Sequence, residues 1–111
     1  MDWSTEKKGD ALVGSVKGRV DESSWQAFGE ALGAAVREAA ETSARTLVVN
    51  LNGLDYMSSR GLRALTLGKR EADGLGVAVV LVAPNAIVRE ILQISRYDKL
   101  FRVEESVEAA L

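Results

Sequence analysis

The sequence predicts an α/β domain built on a mixed β-sheet of about five strands packed with helices. Three observations lead there. Short, β-rich apolar runs at 11–16, 46–51 and 77–82 alternate with longer stretches whose apolar residues recur at spacings of three and four. A tight-turn signal precedes the first run, so the sheet opens with an antiparallel hairpin, whereas each later strand is reached through a helix, as parallel crossovers require. The chain of 111 residues has room for one core but not for two, and residues 1–111 are read as one domain.

Taken in order, Gly9-Asp10 separates strands at 3–8 and 11–17, because Gly followed by Asp supports the φ > 0 geometry of a two-residue hairpin turn. Lys17-Gly18-Arg19-Val20-Asp21 closes the second strand. Ser23 with Gln26 three residues later matches a capping box at a helix start. In that helix Trp25, Phe28, Leu32, Ala35 and Ala39 share one face, which should bury against the sheet, and Glu30, Arg37 and Glu38 fall outside it. Residues 46–51 are apolar on both parities, which suits a central strand covered on both sides or nearly so. Asn52-Gly53 ends this strand and 54–57 is read as a loop.

Ser58 and Ser59 precede Leu62, Leu65, Lys69 and Ala72, a second helix closing near Gly74-Leu75-Gly76. Residues 77–82 repeat the buried-strand pattern. Pro84-Asn85 opens a third helix carrying Val88, Ile91, Leu92 and Ser95, Arg96-Tyr97-Asp98-Lys99 makes a polar corner, and 100–103 offers a last short strand. Residues 104–111 read as a terminal helical turn or two, with Val107, Ala110 and Leu111 available to dock.

Composition excludes much chemistry. Fourteen Lys and Arg against sixteen Asp and Glu leave a formal charge of −2, so no strong positive field recruits nucleic acid or an anionic membrane. With no Cys and no His, the chain has no disulfides, no thiol redox chemistry, no zinc site of the usual ligand type and no imidazole-based catalysis. The lysines at 7 and 8 are followed by no apolar run, so no targeting segment is expected and the expected address is cytoplasmic. The longest apolar stretch, 77–83, is about a third of the roughly 20 residues a membrane-spanning helix needs, so no membrane insertion is expected.

The densest group of unusual residues is Leu54-Asp55-Tyr56-Met57-Ser58-Ser59-Arg60-Gly61-Leu62, between a buried strand and the following helix. In open α/β sheets the crevice beyond the strand carboxyl ends is where ligands and partners are met. A serine at such a helix start caps the helix or accepts a phosphoryl group, whose charge of about −1.5 to −2 would be partly stabilised there. Taken alone, Ser-Ser before a helix is an ordinary capping pattern. Tyr56 and Met57 fit core or rim equally well, and a bond to the loop backbone accounts for Asp55.

The whole-chain pattern is more specific. From about Gly9 to the C-terminus the sequence resembles the anti-sigma factor antagonists, bacterial proteins built on the STAS domain. Gly18-Arg19-Val20-Asp21 is similar to that family's Gly-x-Leu-Asp turn. Val48-Val49-Asn50-Leu51 with Leu54-Asp55-Tyr56-Met57 resembles its central strand and loop, and Ser58-Ser59-Arg60-Gly61-Leu62 its Asp-Ser-Ser-Gly-Leu stretch.

The resemblance implies a STAS-type mixed sheet, no catalytic site, and no cofactor or metal in this chain. Aligned on Gly61-Leu62, it places the phosphoacceptor on Ser59, with Ser58 as the backup. Asp21, Asp55, Met57, Ser58, Ser59, Arg60, Gly61 and Leu62 become the implied partner-binding residues. Two departures stand out: Ser58 replaces the aspartate of many members, and Arg60 is bulky and positive, able to pair with a phosphate on Ser59 or with Asp55.

The implied role is partner switching. The unphosphorylated form binds a Ser/Thr kinase anti-sigma factor of histidine-kinase-like fold, phosphorylation releases it, and a metal-dependent Ser/Thr phosphatase resets the cycle. ATP and magnesium would be bound by the kinase, since no Walker-type phosphate loop is present here. A different class is a constitutive STAS module in a signalling or transporter assembly that is never phosphorylated. An enzyme using Ser58 or Ser59 with Lys69 as base is disfavoured, because ten helical residues separate Lys69 from Ser59 by roughly 15 Å.

Overall fold

The computed structural model describes residues 1–111. Strand β1 (Asp2–Lys8) turns at Gly9-Asp10 into β2 (Ala11–Val20), with Lys8 opposite Ala11 and Gly9 at φ +61°. Helix α1 (Trp25–Ala39) leads to β3 (Thr46–Met57), α2 (Ser59–Leu75) to β4 (Ala78–Val82), and α3 (Ala86–Ile94) with a short α4 (Tyr97–Leu100) to β5 (Arg102–Glu104); α5 (Val107–Ala110) closes the chain. The sheet order is β1-β2-β3-β4-β5, antiparallel between β1 and β2 and parallel elsewhere. This is the expected five-stranded mixed sheet.

The two sheet faces are covered unequally. The larger core joins Leu12, Val16, Leu47, Val49, Leu51 and Leu81 to Phe28, Leu32 and Val36 of α1, Leu65 and Ala72 of α2, and Val88 and Leu92 of α3. On the opposite parity Val13, Val48, Val80 and Val82 pack under Ala110 and Val107 of α5. The apolar character of 46–51 on both parities thus reflects cover on both faces, one thick and one thin. Trp3 of β1 meets Phe28 edge to face at 6.1 Å, tying the hairpin to α1.

Several expectations about element boundaries and caps fail. β3 does not end at Asn52-Gly53, and residues 54–57 form strand rather than loop. Between Ser15/Lys17 and Gly18/Arg19 the pairing with β2 slips by one residue, each extra residue lying on β3. These two bulges set the inward residues Leu51, Leu54 and Met57 three apart, which breaks the period-two signature by which a strand is read. β2 likewise continues through Gly18 to Val20, with Gly18 at φ +89°, so the turn begins only at Asp21.

The expected Ser23–Gln26 capping box does not form. Instead Asp21 folds the chain over, its carboxylate accepting from the Ser23 amide (3.0 Å) and hydroxyl (2.8 Å), while its carbonyl accepts from the amides of Ser24 and Trp25. At the other end, Tyr97–Leu100 is helical rather than a simple corner, β5 starts at Arg102, and Leu111 stays exposed while Ala110 docks.

Candidate functional site

β3 hands the chain to α2 at the carboxyl end of the central strand. The Ser58 amide donates to the Val20 carbonyl at 2.8 Å, holding this junction against the end of β2 and beside Asp21. Ser58 has extended geometry, φ −77° and ψ 172°, and its hydroxyl accepts from the Gly61 amide at 3.3 Å, satisfying one of the free donors of the first turn. Ser59, the first helical residue, is exposed, and its hydroxyl takes part in no hydrogen bond within the chain. Two adjacent serines are thereby chemically distinct. Ser58→Ala should cost about 1 kcal/mol, read as a lower urea midpoint, and Ser59→Ala should stay within about 0.5 kcal/mol of wild type.

The structure divides the sequence-predicted partner residues into two sets. Asp21, Ser58, Ser59, Arg60 and Leu62 reach the surface of one corner, at the ends of β2 and β3 and the first turn of α2. Met57 is 3% exposed and Gly61 is buried, so both present little surface in the free domain. A Cβ on Gly61 would stand 2.6 Å from Met57 Cγ and 2.8 Å from Val20 Cγ1, so this glycine faces inward and lets α2 lie close against the sheet. Gly61 and Met57 therefore act on this surface from beneath, by setting where the first turn of α2, and Ser59 with it, lies.

Asp55 lies on β3, exposed, and makes neither an ion pair nor a side-chain hydrogen bond. Of the two partners the sequence offered Arg60, a phosphate on Ser59 or Asp55, the second is not met. Arg60 instead reaches back to Glu22, 3.4 Å from its carboxylate, and lies 5.5 Å from the Trp25 ring centroid. Arg19 forms the matching contact on the other side, over Tyr56 at 4.6 Å and 3.8 Å from Asp21. The Ser23 hydroxyl and amide, then Ser24 and the Arg19 charge, hold the Asp21 carboxyl below its ordinary range. Asp21 is therefore ionised and already engaged in its own turn.

Glu22, Trp25 and Tyr56 are contacts of this corner that sequence reading did not single out as site residues. Their partners come from other elements, and no local spacing announces them. Lys69 lies against Asp73, with its ammonium 3.1 Å from the carboxylate, three turns along α2 from the serines. It offers Ser59 no base.

A model of the STAS domain matches residues 2–110. The Bordetella bronchiseptica protein named "Putative anti-sigma factor antagonist BtrV" is 31% identical over 110 residues, covering 99% of this chain and 91% of its own. An anti-sigma factor antagonist structure from Mycobacterium paratuberculosis superposes with a TM-score of 0.85 at 23% identity, over 98% of this chain and 89% of that one. The phosphorylated form of the Bacillus cell fate determinant SpoIIAA superposes with a TM-score of 0.70 at 19% identity, over 98% and 96%. At these identities the structural neighbours speak for the fold alone.

Proposed function

This chain belongs to the STAS domain family, and from that membership we propose that it acts as an anti-sigma factor antagonist switched by phosphorylation of Ser59. In this reading the unmodified domain binds and sequesters a Ser/Thr kinase anti-sigma factor through the corner formed by Asp21, Ser58, Ser59, Arg60 and Leu62. The kinase, which brings ATP and magnesium, transfers the γ-phosphoryl group to Ser59 Oγ, the hydroxyl proton is lost, and ADP is left. The dianionic group then sits inside the docking surface, where it loses hydration and faces Asp21, and the complex separates. A metal-dependent phosphatase returns the serine and inorganic phosphate with water. The domain itself contributes a surface and an acceptor, and catalyses neither step.

One observation carries the reading: of the two serines, Ser58 is engaged as the helix cap, while Ser59 is exposed with a free hydroxyl one residue into α2. The name of the relative BtrV supports the antagonist role. The test is intact-mass analysis with fragment mapping of wild type and Ser59→Ala isolated from the native cell. A single phosphate on Ser59, absent from Ser59→Ala, is expected. Phosphate on Ser58 would move the acceptor to the backup position, and no phosphate under any growth condition would favour the constitutive module.

A further inference from the structure

We infer that Arg63, and not the adjacent Arg60, is the internal counter-charge for a phosphate on Ser59. This rests on the phosphoacceptor reading above and says how that site is regulated. Ser59 and Arg63 stand four apart on α2, the spacing at which side chains are neighbours on a helix surface, with the acidic member N-terminal in the favourable order. Both are exposed. Arg63 belongs to none of the ion pairs of the chain. Arg60, one residue on, projects about 100° around the helix from Ser59 and is held by Glu22 and Trp25.

Glu30 of α1 lines the α1–α2 groove together with Arg63 but forms no ion pair with it, and the other charges at this corner supply no free cation. Arg19 is taken up by Asp21 and Tyr56, and Asp21 and Asp55 are acidic and would repel the phosphate. A phosphate on Ser59 therefore finds one unpaired cation within a turn of it on its own helix, the next, Arg70, lying two turns further on. The pair holds the group along α2 and neutralises part of its charge. Arg63 is thus a positioning residue for the modified side chain, and the repulsion that a partner meets depends on it.

The test uses the full chain with phosphoserine installed at position 59 during synthesis, so that it is independent of any kinase. The second ionisation of the phosphate is followed by phosphorus NMR in otherwise wild-type, Arg63→Ala, Arg63→Lys and Arg60→Ala protein. In wild type the transition is expected below the value of about 6 usual for a phosphoserine. It should rise by about half a pH unit in Arg63→Ala and recover most of that in Arg63→Lys, while Arg60→Ala leaves it nearly in place. An unchanged transition in Arg63→Ala, or the full rise in Arg60→Ala, overturns the assignment. Failure to find phosphate on Ser59 in the native cell would instead remove the functional reading, with this pairing still measured.

Discussion

Gly61→Val should lower the unfolding free energy by about 2–4 kcal/mol, a large part of the 5–15 kcal/mol that typically holds such a domain together. The first turn of α2 rests directly on Met57 and Val20, and even a methyl on residue 61 would stand 2.6 and 2.8 Å from their carbons. Those atoms are not free to retreat, because Val20 and Met57 are both buried within the main core. Two further methyl groups on a β-branched side chain deepen the overlap and force α2 away from the sheet, carrying Ser58 and Ser59 with it. Gly61→Ala separates two effects: helix propensity favours alanine by up to about 1 kcal/mol, and the clash works against it, so no net gain is expected. Gly74 supplies the control, since a Cβ there meets nothing within 4 Å, and Gly74→Ala should be neutral or stabilising. Urea denaturation followed by far-UV circular dichroism reads all three. Wild-type stability in Gly61→Val would mean that α2 is not held against β2 and β3 as described.

If the proposed function holds, Ser59→Asp should weaken binding of the kinase anti-sigma factor by more than a hundredfold while leaving the domain as stable as wild type or slightly more so. In the free domain a carboxylate in the first turn of a helix is favourable by roughly 0.3–1 kcal/mol, and Arg63 four residues on adds to this. In the complex the same charge is stripped of water, and an unpaired buried charge costs about 3–5 kcal/mol. The two effects have opposite signs, which separates a switch from a folding defect. Arg63 decides how large the response is: Ser59→Asp/Arg63→Ala should bind more weakly than Ser59→Asp alone, because the cis partner that mutes the charge is gone. Calorimetric titration of the kinase with each variant, beside urea denaturation, measures both effects. Equal affinity for all of them would leave a constitutive interaction module as the better description.

Much of this was legible in the sequence for a local reason. Turn chemistry at Gly9-Asp10, the three-and-four spacing from Phe28 to Ala39 and from Leu62 to Ala72, and the cap residues Ser58 and Asn85 depend only on near neighbours. Those features, and with them the order of strands and helices and the placing of a serine pair at the start of α2, are determined by the sequence itself. The tertiary structure alone decided the rest. β3 runs on to Met57 because β2 pairs along its whole length, and the two bulges that this pairing imposes convert a period of two into Leu51, Leu54 and Met57, three apart. Gly61 turns inward because the rotation of α2 is set by what it packs against. Arg60 meets Glu22 and Trp25 rather than Asp55 because the chain entering α1 is folded beside α2. Each of these depends on residues far apart in sequence, whose encounter no local spacing encodes.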